Sequence, residues 1–245
     1  MRYLIDIDDT DNLDSHGTGH LARDLTNTLN ALDIAEVEGI TRHQLLVDPR
    51  IRYTSHNSSA CLTINAQPER LAALIDACRN YLLTHSAPGS DAGLCVAAWD
   101  QVTETIQRFG RRAKQEILTM IEAFALAQQT DIALEGLTGD HGGVIGSLAA
   151  IGLRAAGNDG RFLWLKGLRD ISGVYTVDQL RGATPIERIQ TVEGLDVPAT
   201  DRIDVGEWVR PLLKHGHSLL LVEEAQRDNC EWRVISKDSI KQLSN

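Results

Sequence analysis

The chain has 245 residues, of which 42% are hydrophobic and 24% charged, and its formal net charge is −10. That length holds one large domain or two small ones and buries a core without disulfide or metal staples. The acidic balance excludes a general nucleic-acid-coating surface, which needs clustered Lys and Arg, though it leaves room for a local basic groove.

No run approaches the roughly 18 apolar residues of a membrane helix. Asp6 interrupts the first apolar run, so the N-terminus lacks a signal-peptide pattern. A cytoplasmic protein with no membrane partner is expected. The four cysteines, Cys61, Cys78, Cys95 and Cys230, form no C-x-x-C pair, and three lie in apolar stretches. They read as small hydrophobes rather than zinc ligands.

In chain order, residues 2–7 (RYLIDI) read as a strand. The polar segment DDTDNLDSHGTG is a loop. Leu21, Leu25, Leu29 and Leu32 recur at helical spacing and predict a helix from Thr18 to Leu32. Residues 34–47 and 58–65 predict strands, Gln67 to Leu83 an amphipathic helix, and Gly93 to Trp99 a buried strand. This β-α-β-β-α-β order is the ferredoxin-like pattern. The spacing next predicts one long helix over 101–129, then a glycine-bearing loop, then a small-residue helix, VIGSLAAIGLRAA. RFLWLKGL reads as a strand, 176–182 as a helix, and 217–224 and 231–236 as strands. The expected class is α+β: a ferredoxin-like domain over 1–100, then a second α+β unit over 101–245 packed against it.

Asp6, Asp8, Asp9 and Asp11 crowd the end of the first strand. Like charges this close raise one another's pKa, so the cluster calls for a cation. Hard carboxylate oxygens suit Mg²⁺, which takes one or two of them plus water and phosphate. These four are the candidate metal ligands. Two other readings stay open. The loop could be a solvated turn whose Asp residues cap the next helix. Alternatively Asp6, Asp8 and Thr10 loosely match a phosphatase D-x-D-x-T, with Asp6 as nucleophile.

Gly139 to Gly152 (GDHGGVIGSLAAIG) is a glycine turn feeding a helix, and helix N-termini bind anions. It is neither a Walker A nor a full G-x-G-x-x-G sequence. Gly139, Gly142 and Gly143 are either a phosphate cradle or a plain turn, with Asp140 and His141 in reach of a ligand. Gly146, Ala149, Ala150 and Gly152 suit close helix packing. Between the first two strands' partners, Arg42, His43, Arg50, Arg52, His56 and Asn57 form the densest mix of phosphate-binding types in the chain.

Three of these segments together resemble the archaeal tRNA-isoleucine agmatidine (2-agmatinylcytidine) synthetases. That family opens I-D-D-T-D-S, then G-M-C-T-T-Y-L; here the chain reads IDDTDN, then SHGTGHL. Its block R-L-x-x-L-N-P-x-I-P-x-K-T-R-G-N-A-A-V is similar to RHQLLVDPRIRYTSHNSSA, and its G-N-G-R-G-x-I-G-A-L-A-A-I-G to GDHGGVIGSLAAIG. The resemblance implies an ATP-dependent enzyme that phosphorylates the C2 oxygen of a wobble cytidine, which agmatine then displaces. Carried over by position, Asp8, Asp9 and Asp11 would hold Mg²⁺ and ATP phosphates. Thr18 would stand near the phosphate, and Asn57 and Gly139 to Gly143 would line the site. Asp8, Asp9 and Thr18 are thus the candidate catalytic residues. Thr10, Asn57, Gly139, Asp140, His141, Gly142 and Gly143 are the candidate cofactor-binding set.

The chain departs from the family at several places. Cys-Thr-Thr reads Gly17-Thr18-Gly19, Lys-Thr-Arg-Gly reads Tyr53-Thr54-Ser55-His56, and the loop arginine is Gly142. The family's OB-fold and zinc-ribbon parts are not expected here. The expectation is therefore a Mg²⁺- and ATP-using phosphotransferase or ligase-like enzyme whose partners are a nucleotide and a small-molecule acceptor. The alternatives are a tRNA wobble-cytidine modifying enzyme and a non-catalytic nucleotide-binding module.

Overall fold

A computed structural model describes every residue except Ser55, Asp228 and Asn245. The class is α+β, and the chain divides into two compact units, Met1–Ala156 and Gly157–Asn245. The division expected near residue 100 falls inside the first unit.

The first unit begins β1 (Arg2–Asp8), α1 (Thr18–Ala31), β2 (Ala35–Gln44), β3 (Ser58–Ala66), α2 (Leu71–His85) and β4 (Gly93–Ala98). It continues α3 (Glu104–Ala113), α4 (Met120–Gln129), β5 (Ala133–Gly136) and α5 (Val144–Ala156). Its strands pair in the order β5-β4-β1-β3-β2, every pair antiparallel. β1 is buried on both faces because it is central. Helix α1 packs on β2 and β3, and α2 lies beside α1. Helix α5 covers β1, β3 and β4, and α3 packs on α5. Leu4, Ile106, Phe109, Leu148, Ile151 and Leu153 share one core on that side.

β5, which the sequence reading passed over, extends the sheet by pairing with β4. This pairing carries the first unit well past residue 100. The single helix expected over 101–129 is two helices. Helix α4 has its own start at Thr119, whose Oγ1 accepts from the Glu122 N–H at 3.2 Å while Glu122 accepts from the Thr119 N–H at 3.0 Å. That reciprocal cap satisfies a helix beginning and so places a break before it. Periodicity alone runs through such a break.

The small residues of α5 act where helices cross. A Cβ on Gly152 would stand 2.3 Å from the Ile106 carbonyl oxygen, and one on Gly110 of α3 would stand 2.5 Å from the Ala149 carbonyl oxygen. Only glycine at both positions lets the two backbones approach this closely.

The second unit contains β6 (Arg161–Leu165), β7 (Val174–Thr176), α6 (Val177–Ala183), β8 (Arg188–Thr191) and β9 (Arg202–Asp204). β10 (Leu212–Lys214), β11 (His217–Arg227), β12 (Cys230–Val234) and α7 (Lys237–Ser244) complete it. Its strands run β6-β10-β11-β12-β9-β7, with β8 parallel to β11. Phe162, Val177, Leu180, Ile189, Ile203, Leu213 and Leu220 fill its core. β7 to β10 and α7 were not expected. Apart from the longer α7, these are elements of three or four residues, too short to establish a period.

Candidate active site

Register brings three loops to one end of the first unit's sheet. Asp8, the last residue of β1, is paired with Gly93, the first of β4, and Gly93 is paired with Gly136, the last of β5. The acidic loop after β1, the segment before β4 and the glycine loop after β5 therefore meet. Close contacts need glycine there. A Cβ on Gly93 would lie 2.3 Å from the Gly143 carbonyl carbon, and one on Gly143 would lie 2.8 Å from the Asp8 carbonyl oxygen. One on Gly146, in the first turn of α5, would lie 1.8 Å from Asp8 Oδ2. The Asp8 carboxylate is thus seated against the start of a helix, where the helix dipole favours negative charge.

At this end lies a cleft of about 270 Å³. Asp8, Asp9, Asp11, Thr18, Asn57, Gly142 and Gly143 line it among the expected residues. Its polar wall adds Arg50, Arg52, Asp91 and Glu116, and its apolar wall is Leu45, Ala113, Ile117, Leu118 and Ile145.

The carboxylates are held in different ways. Asp8 is only 8% exposed. Burial first, then the charges of Asp9 and Asp11, push its pKa up to about 8, against a pull downward from the Asp9 N–H. Asp9 has a positive φ of 50°, a left-handed conformation that Asp tolerates better than most residues. Burial, then Asp91 and Asp11, raise it to about 6, and the Arg52 charge opposes them. Asp11 Oδ1 accepts from Thr18 Oγ1 at 2.8 Å, and Thr18 Oγ1 accepts from Thr10 Oγ1 at 3.0 Å. Thr18, the first residue of α1, therefore orients Asp11 rather than only bordering the cleft. Thr10 is buried, lies outside the cleft lining and acts through this chain of hydroxyls.

Asp6 does not join the other three. It is fully buried, its Oδ1 accepts from Ser59 Oγ, and its Oδ2 has no hydrogen-bond partner. Burial holds its pKa well above the ordinary carboxylate range, with Ser59 opposing and Asp8 adding to the rise. The shared strand face that groups Asp6 with Asp8 runs inward under α5, so Asp6 lies beneath the sheet's end and not in the cleft. The structure therefore does not bring Asp6 to the cleft with the other three candidate ligands.

The glycine loop is also divided. Gly142 and Gly143 line the cleft; Gly139, Asp140 and His141 do not. Those three shape the loop instead. Gly139 has a φ of +54°, and a Cβ there would lie 1.9 Å from Asp91 Oδ1. The Asp140 N–H donates to Asp91 Oδ1 at 2.7 Å, and the Gly143 N–H donates to the Asp91 carbonyl at 2.9 Å. Asn57 spends its side-chain N–H on the Leu46 carbonyl at 2.7 Å, fastening the β2–β3 connection beside the cleft.

Asp91 is the residue the sequence reading missed. It stands in a polar run with no motif, and its signal is positional: it lies two residues before Gly93, the register partner of Asp8. Among the described residues, no three His, Cys, Asp or Glu side chains close into a ready-made metal cage. Asp8, Asp9 and Asp11 all line the cleft, and a hard cation takes one or two carboxylates and fills its shell from water and phosphate. No helix among the described residues is long and apolar enough to cross a membrane.

No protein-family model and no curated protein matches the chain. Solved structures do. Apo TiaS, tRNAIle2 agmatidine synthetase, is 21% identical with a TM-score of 0.53, covering 62% of this chain and 35% of that one. A tRNA fluorescent labeling enzyme is 22% identical with a TM-score of 0.54, covering 62% and 36%. TiaS in complex with tRNAIle2 and ATP is 21% identical with a TM-score of 0.55, again covering 62% and 36%. The chain thus shares its fold with these structures over 62% of its own length, while spanning little more than a third of theirs.

Proposed function

We propose that this chain is an ATP-using enzyme of the agmatidine-synthetase kind, which activates an acceptor oxygen by phosphoryl transfer, with a tRNA nucleotide as acceptor and an amine as the displacing group. The observation that carries this reading is the meeting of Asp8, Asp9 and Asp11 with Gly142 and Gly143 in one cleft. Phosphoryl transfer is mostly positioning and charge neutralisation, so a carboxylate cluster facing a glycine turn is apt chemistry for it. The fold shared with a tRNA- and ATP-bound structure supports the choice of acceptor.

In this reading Asp8, Asp9 and Asp11 would hold Mg²⁺, which supplies neutralisation of phosphate charge. The missing side chain of Gly146 leaves room for the Asp8 carboxylate, and Thr18 donates to Asp11. The turn at Gly142 and Gly143 leaves backbone, not side chain, beside the phosphates, and Asp91 secures that turn. The apolar wall at Leu45, Ile117 and Leu118 offers a surface for a base. A second reading, a small-molecule acceptor, is favoured by the net charge of −10.

The experiment is ATP turnover with Mg²⁺, with and without unmodified tRNA and an amine. Turnover that rises with tRNA supports the first reading, and turnover indifferent to tRNA supports the second. ATP binding without turnover under every condition would leave only a nucleotide-binding module.

A further inference from the structure

The cleft has a charge imbalance. Asp8, Asp9, Asp11, Asp91 and Glu116 line it, against two arginines, Arg50 and Arg52. A polyphosphate brought to this wall needs a protein cation as well as a metal. The two arginines are not equally available.

Arg50 is committed. Its Nε and Nη2 both donate to the Asp48 carboxylate at 2.8 Å, and its backbone N–H donates to the same group at 2.9 Å. This fork holds Asp48 down to about 2, through the hydrogen bonds from Arg50.

Arg52 is held loosely. Both arginine side chains are 74% exposed, so their contacts distinguish them: Arg52 Nη1 lies 3.5 Å from Asp91 Oδ2, and its Nη2 lies 3.4 Å from the Gly89 carbonyl. Neither contact is a tight fork. Arg52 also borders both this cleft and an adjoining groove of about 490 Å³, which shares Asp9, Asp11, Tyr53, Thr54 and Asp91 with it. Its partner Asp91 is only 7% exposed and is fixed by the Asp140 N–H. The anchor is buried and hydrogen-bonded, and the cation is exposed with long contacts.

We propose that Arg52 is the cation that receives the polyphosphate, and that Asp91 holds it at the cleft mouth until the anion arrives. The inference rests on the polyphosphate reading given above. A guanidinium suits the exchange, since its planar fork matches phosphate oxygens as well as a carboxylate. On binding, Arg52 leaves one Asp91 oxygen for phosphate, while the other Asp91 oxygen keeps its grip on the glycine loop. One acidic residue thereby links the arginine's position to the shape of the turn.

The test is calorimetric titration of the full chain with inorganic tripolyphosphate and, separately, ATP, both with Mg²⁺. Arg52→Gln is expected to weaken tripolyphosphate binding about tenfold or more, the loss of one charge-assisted contact. Arg50→Gln is expected to weaken it clearly less than Arg52→Gln does, because its guanidinium is already paired with Asp48. Asp91→Asn keeps the Oδ1 acceptor and removes the charge. It is expected to tighten binding, and by clearly more in the wild-type background than in Arg52→Gln, the signature of two coupled groups. Equal losses in Arg50→Gln and Arg52→Gln, or an Asp91→Asn gain identical in both backgrounds, would overturn the assignment while leaving the polyphosphate site standing. If wild-type protein binds neither probe, the site and this inference fall together.

Discussion

Gly146 lies against the Asp8 carboxylate so closely that a Cβ on the glycine would sit 1.8 Å from Asp8 Oδ2. One residue of the glycine-rich helix is therefore reserved for the acidic loop. Gly152, further along the same helix, serves packing instead: a Cβ there would stand 2.3 Å from the Ile106 carbonyl oxygen.

Gly146→Ala and Gly152→Ala separate these two roles. Each is expected to cost about 1–3 kcal/mol of stability through overpacking, read by denaturant unfolding. Only Gly146→Ala is expected to weaken nucleotide binding as well, because it alone must displace Asp8. A Gly146→Ala protein with wild-type nucleotide affinity would refute the link between helix and acidic loop.

Thr18 gives a second test. Its hydroxyl donates to Asp11 and accepts from Thr10. Thr18→Val keeps the shape and removes these bonds, at an expected cost of about 1–3 kcal/mol for the partners left unsatisfied. Thr18→Ser keeps the hydroxyl and should retain most stability and nucleotide affinity. Val and Ser behaving alike in both thermal melts and ATP titrations would show that the hydroxyl chain is idle.

The raised carboxylates set a pH dependence. Asp8 at about 8 and Asp9 at about 6 titrate above their unfolded values, so the native state binds more protons than the unfolded state across that range. Stability from these groups is full below the ordinary carboxylate range and is lost as pH rises through 6 and then 8. Without divalent cation, the melting temperature should fall from pH 5 to pH 8. Mg²⁺ competes with those protons, so its stabilising effect should grow across the same window. A metal-free melting temperature that rises from pH 5 to pH 8, with no growing response to Mg²⁺, would contradict the electrostatic description.

How far the sequence speaks for itself varies with the kind of signal. Strands β1, β3 and β4 and helices α1, α2 and α5 carry strong apolar patterns, and their expected spans lie within a few residues of those found. The break between α3 and α4 is invisible to periodicity, because the apolar stripe of Ile106, Phe109, Ala113 and Ile117 continues through it. The signal that marks the break is the cap at Thr119 and Glu122. Asp6 and Asp8 look equivalent in the sequence, being two residues apart on one strand face. Depth along β1 distinguishes them: Asp6 lies under α5 and Asp8 at its start. Asp91 belongs to no local motif and enters the cleft only through the pairing of β1 with β4.

That cap also supplies a control. Thr119→Ala should cost about 0.5–2 kcal/mol by removing the α4 N-cap, as measured by chemical unfolding. Nucleotide affinity should not change, since Thr119 does not line the cleft.

The most direct measurement is calorimetric titration of ATP into the full chain with and without Mg²⁺, for wild-type protein, Asp8→Asn and Asp11→Asn. The account predicts binding that requires Mg²⁺ and weakens about tenfold or more in each variant, as lost contacts to a charged ligand do. Absence of ATP binding, or variants that bind as wild type does, would contradict the claim that the acidic loop and the glycine turn form one polyphosphate site.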